Sequence, residues 1–106
     1  MTINATGALL DLCVLAVVSR GDAYGYALTQ DVKRTLEVSE STMYPVMRRL
    51  QTQQCLETYD TPYEGRNRRY YRLTDTGRQT LETLKEDWTD FKTRVDTIIF
   101  SGGDAA

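Results

Sequence analysis

Residues 56–73 read LETYDTPYEGRNRRYYRL, and the fold class turns on them. Leu56 to Asp60 and Arg68 to Leu73 are short runs rich in Tyr, Thr and Leu. Between them Pro62 and Gly65 suit a turn, so the stretch predicts a β-hairpin. Strand alternation puts Arg68, Tyr70 and Arg72 on one face and Arg69 and Tyr71 on the other. Arg66, Asn67, Arg68, Arg69 and Arg72 follow the turn without an acidic residue among them. A cationic tip of this kind can reach a DNA minor groove or clamp the flanking phosphates. The plainer alternative is a charged edge that discourages strand-to-strand aggregation.

Upstream, the pattern is helical. Residues 5–19 are apolar almost all round, with Leu9, Leu10, Leu12, Cys13, Val14, Leu15, Val17 and Val18, which predicts a helix buried on several sides. Gly21 stands where such helices end. Asp22 is placed to cap a second helix over roughly 23–36, in which Tyr24, Leu28 and Val32 recur every four residues. A third helix is expected to start between Ser39 and Thr42 and run to about Gln54. Its core face is Met43, Val46, Met47 and Leu50. Pro45 argues for a start near Ser41 or Thr42, or for a distortion, because proline is comfortable only in the first turn. Away from the core face, Ser41, Tyr44, Arg48 and Gln51 share a stripe. They supply hydroxyls for phosphate, a guanidinium for guanine or phosphate, and an amide for adenine. A solvated polar face is the competing reading.

Downstream, Thr74 and Asp75 cap a long helix to about Phe100. Its Leu81, Leu84, Trp88, Phe91, Val95 and Ile98 are spaced alternately three and four apart, as in a coiled-coil seam. The stripe runs past the size of the preceding domain, so pairing with a second copy is favoured over docking onto its own domain. The expected organisation is a domain over 1–73, a dimerisation helix over 74–100 and a flexible tail over 101–106. Helix, helix, helix, hairpin, helix is mainly α with a small β-hairpin: a winged helix-turn-helix plus a long C-terminal helix.

Composition fits this and excludes other classes. The net charge of −2 hides a division: residues 31–73 carry eight basic and six acidic side chains, residues 74–106 four and seven. Local field matters more than the sum when phosphates are approached. The chain has no histidine, no Gly-rich phosphate loop and no paired-carboxylate motif, so no enzyme, cofactor or metal is expected. The longest apolar stretch, Ala8 to Val18, is interrupted by Asp11 and falls short of a membrane span, and no basic residue precedes Arg20. Two cysteines, Cys13 and Cys55, make no disulfide framework, and a cytoplasmic location is expected.

Three blocks in order carry a resemblance: Tyr24-Gly25-Tyr26; Ser39-Glu40-Ser41-Thr42-Met43-Tyr44-Pro45 with Arg49-Leu50; and Gly65 to Thr74 followed by Gly77. Together they resemble the PadR-like transcriptional regulators over about residues 8–80, and the single C-terminal helix resembles that family's smaller branch. The resemblance implies a dimeric DNA-binding regulator, usually a repressor, acting on a two-fold-symmetric operator. It implies DNA contacts from Ser41, Thr42 and Tyr44, and a wing made of Arg66, Arg68 and Arg69. It also gives Trp88, with Phe91, two readings: seam packing, or a pocket at the dimer centre that stacks a flat aromatic effector. Cys55 departs from the family's usual Gly. If that position is left-handed, Cys costs about 1 kcal/mol. A winged-helix adaptor that binds protein instead of DNA is the alternative function.

Overall fold

The computed structural model describes residues 7–101. The first two residues expected in the first helix, and positions 102–106 of the expected tail, lie outside that range. Helix α1 (Gly7–Ser19) buries Leu10, Leu12, Val14, Leu15 and Val18 and sits at the centre of the molecule, touching each of the other helices and the sheet. An all-round apolar helix has no other stable place. Gly21 leads the chain out of it at φ +152°, with its N–H donating to the Val18 carbonyl.

Asp22 does not cap the second helix. Ala23–Tyr24 form a short strand, β1, that pairs antiparallel with Tyr71 and Tyr70. Helix α2 (Gly25–Leu36) therefore begins after Tyr24 with no side-chain cap. Asp22 instead accepts a hydrogen bond from the Tyr59 hydroxyl at 2.7 Å. Only Leu28 and Val32 of the expected four-residue repeat are buried helical positions, because Tyr24 belongs to the sheet.

Helix α3 (Glu40–Thr52) starts earlier than Pro45 suggested. Ser39 caps it, accepting from the Thr42 N–H at 3.2 Å. Pro45 lies in the second turn and leaves the Ser41 carbonyl without a helical donor. Ser41 is exposed, so solvent can satisfy that carbonyl and the helix continues. Met43, Val46, Met47 and Leu50 are buried, as the periodicity required. The helix ends in a Schellman motif: Cys55 N–H donates to Leu50 O and Gln54 N–H to Gln51 O, both at 2.9 Å. The left-handed residue is Gln54, φ +60°, so Cys55 carries no such strain. Cys55 is buried, and burial suits it as the small apolar partner of Leu50 in that motif. Replacing Gln54 with Gly, which adopts this conformation freely, is expected to stabilise the domain by about 0.5–1 kcal/mol; an unchanged or lowered melting temperature would contradict it.

Strands β2 (Leu56–Tyr63) and β3 (Arg66–Leu73) are longer than expected. They are joined by Glu64-Gly65, both at positive φ, the geometry that matches strand twist in two-residue hairpins. Pro62 lies within β2 instead of in the turn, opposite Asn67. The sheet order β1-β3-β2 makes β2 an edge strand, where a missing N–H is tolerated.

Helix α4 (Asp75–Phe100) starts at the Thr74 cap, whose hydroxyl accepts from Gly77 N–H at 2.9 Å. Its first turns complete the core through Gly77, Leu81 and Leu84, so no core boundary falls at residues 73/74. Beyond Trp88 it leaves the domain. At 26 residues it is about 39 Å long, and it accounts for extents of 64 × 27 × 21 Å.

Candidate nucleic-acid interface

Two tethers set the orientation of α3. Arg49, on its inner side, donates to Asp11 of α1 through Nη2 at 2.5 Å and Nε at 3.4 Å. At its start, Glu40 accepts from Gln30 at 3.5 Å and pairs with Lys33 at 3.6 Å, both from α2. A half-buried ion pair with two hydrogen bonds holds geometry better than a surface pair does.

With the core face turned inward, Ser41, Tyr44 and Arg48 point out, and Tyr44 is 64% exposed. Thr42 is less available: it is half-buried and its hydroxyl lies 2.8 Å from Ser39 Oγ. Gln51 is also half-buried and lines a separate hollow with Gln54, Glu57 and Thr74. Of the four residues expected on the outer stripe, three are thus brought to the surface together and Gln51 faces another side.

The two faces of the hairpin differ. Tyr71 packs its ring against the core and, with Arg69, lines a cleft of about 260 Å³ whose other walls include Tyr24, Gly25, Met43, Tyr44 and Met47. Helix α3 and the hairpin thus meet across one opening, with Tyr44 and Arg69 both among its walls. Gly25 lets the Tyr71 ring come this close: a Cβ there would lie 2.8 Å from it, so a larger residue would have to displace the ring. Burial raises the Tyr71 phenol above the usual tyrosine range.

The outer face carries a run of rings. Tyr59 and Tyr70 stack at 5.7 Å, Tyr24 lies 5.8 Å from Tyr70, and Tyr26 lies 6.2 Å from Tyr24. The Arg68 guanidinium sits over Tyr63 at 3.9 Å and Tyr24 at 4.6 Å, and that of Arg72 over Tyr59 at 5.0 Å. The hydrogen bond to Asp22 holds the Tyr59 phenol above its ordinary range. Alternation along β3 was legible in the sequence; Tyr24, Tyr26, Tyr59 and Tyr63 were not recognised as part of this surface. Tyr59 and Tyr63 share a strand face at period two, and that signal could have found them.

The wing is less cationic than its sequence. Arg72 pairs with Glu57 at 2.9 Å and Arg69 with Asp60 at 3.6 Å, both acids lying directly opposite on β2. Arg66 and Asn67 are exposed at the tip, and Arg66 has no ion pair among the described residues.

The seam of α4 divides. Leu81 and Leu84 are buried in their own domain, and Trp88 packs against the same core. These two leucines therefore pack into their own domain, which reaches further along α4 than residue spacing alone could show. Phe91 is 39% exposed, Val95 half-buried and Ile98 77% exposed, followed by exposed Ile99 and Phe100. Among the described residues no helix is long and apolar enough to cross a membrane.

Comparison with known proteins identifies relatives of this fold. The Transcriptional regulator PadR-like family matches residues 14–83. A transcriptional regulator of Mycobacterium tuberculosis is 35% identical over 75 residues, covering 70% of each chain. A protein from Streptococcus mutans has a superimposable structure, with a TM-score of 0.82 at 36% identity over 93% of each chain. A PadR-like transcriptional regulator from Bacillus cereus gives 0.75 at 31% identity, over 86% of this chain and 91% of its own.

Proposed function

The chain belongs to the PadR-like family of transcriptional regulators, and on that premise we propose that it is a dimeric, sequence-specific DNA-binding repressor. One observation carries this: Tyr44 of α3 and Arg69 of the wing line the same cleft, so groove-reading and backbone-clamping groups address one surface. In this reading Ser41, Tyr44 and Arg48 enter the major groove. Arg66, Asn67, Arg68 and Arg69 lie along the flanking backbone or minor groove. Thr42 and Gln51 play supporting parts, at the helix cap and at the base of β2. The unit up to Leu84 binds DNA, and Phe91, Val95 and Ile98 join a second copy, burying apolar surface that a soluble monomer rarely exposes. Trp88 and Phe91 would then offer ring faces near that joint to a flat aromatic effector.

Selection from a random duplex pool tests the reading. The expected product is a two-fold-symmetric site, with half-sites about one helical turn apart. Six to eight phosphate contacts would weaken binding by orders of magnitude between about 50 and 200 mM salt. No enrichment at low salt would leave the protein-binding adaptor as the better account.

A further inference from the structure

The contacts of Arg68 differ from those of every other wing arginine. It is held by two rings and by no acid among the described residues. Tyr24 comes from β1 and Tyr63 from β2, strands that flank β3 on opposite sides. Arg68 is consequently half-buried on a strand whose neighbours Arg66, Asn67 and Arg69 are exposed.

We propose that Tyr24 and Tyr63 are positioning residues for DNA recognition: they hold the Arg68 guanidinium in place before the duplex arrives. A ring over a guanidinium covers its flat face and leaves the in-plane N–H donors open to phosphate or base-edge acceptors. An aspartate or glutamate partner would occupy those same donors, as Glu57 does for Arg72 at 2.9 Å. The rings therefore order the side chain without competing for the bonds that DNA would make. An arginine loses much rotamer freedom on binding, and a pre-ordered one has already lost it. Tyr24 is also tied to Tyr26 and Tyr70, whereas Tyr63 sits at the hairpin end, 48% exposed. Tyr63 is thus the cleaner position to alter.

This inference rests on the DNA-binding reading above, and its test uses the full chain and the duplex selected there. Tyr63→Leu is expected to weaken binding about three- to tenfold while leaving the salt slope unchanged, since no phosphate contact is lost. Tyr63→Phe, which keeps the ring, should bind as the unaltered chain does. In an Arg68→Ala background, Tyr63→Leu should have no further effect. In the free protein, relaxation of the Arg68 Nε–H should report a rigid side chain that becomes mobile in Tyr63→Leu. Equal losses in both backgrounds, or a mobile Arg68 in the unaltered protein, would overturn the clamp while DNA binding stood. Failure of the unaltered chain to bind any duplex would overturn both.

Discussion

Gly77→Ala is expected to destabilise the domain by about 3 kcal/mol or more, although alanine is the better helix former by about 1 kcal/mol. The sign follows from what the new methyl group meets. A Cβ at residue 77 would run into the Cys55 carbonyl oxygen and lie 2.7 Å from Leu73 Cδ1. The carbonyl cannot move aside cheaply, because it accepts from both the N–H and the hydroxyl of Thr74, each at 3.1 Å. Thr74 is in turn the cap of α4, bonded to the Gly77 N–H itself. Relief requires lifting the start of α4 off the end of α3 and opening the layer that contains Leu81. For a chain of this size that loss corresponds to a fall in melting temperature of roughly 12–24 °C. A variant that melts at or above the original temperature would show that the helix start can shift freely, and the close crossing would lose its meaning.

Reversing two wing charges, Arg66→Glu with Arg68→Glu, is expected to lower affinity for the selected duplex about 100-fold or more near 100 mM salt. The salt slope should fall by about 2, one contact for each arginine. The choice of residues matters. Arg69 and Arg72 neutralise Asp60 and Glu57 across the strand pair. Reversing them would set like charges opposite each other and confuse folding with binding. Arg66 pairs with Tyr63 in register and Arg68 with Thr61, so the doubly reversed hairpin faces no acid. Its fold should survive with a modest loss from the missing ring contacts, about 0.5–1 kcal/mol each. Fluorescence anisotropy measures the binding, and circular dichroism checks the fold. Retained affinity with an unchanged slope would remove the wing from recognition.

Much of this molecule is local and was therefore legible in its residues. The four-residue core face of α3, the Thr74 cap, the all-apolar α1 and the alternation of Arg68 and Tyr70 against Arg69 and Tyr71 depend only on backbone period and nearest neighbours. They appear in the structure as the pattern dictates. The helix boundaries at Glu40 and Gly25 were harder. Pro45 is a local signal that the exposed Ser41 carbonyl overrides, and a two-residue strand carries no period to detect.

The order of the four helices and the hairpin, and with it the fold class, was written in the chain alone. Tertiary structure alone decided the pairing of Asp22 with Tyr59, of Asp11 with Arg49, and of the β2 acids with two of the wing's arginines. It also decided where the α4 seam passes from its own core, at Leu84, to open surface, at Phe91. The physical reason is common to all four. A heptad stripe or a charged side chain offers the same apolar area or the same charge to any partner. Only three-dimensional proximity, between residues up to 38 positions apart in the case of Asp11 and Arg49, selects which partner receives it.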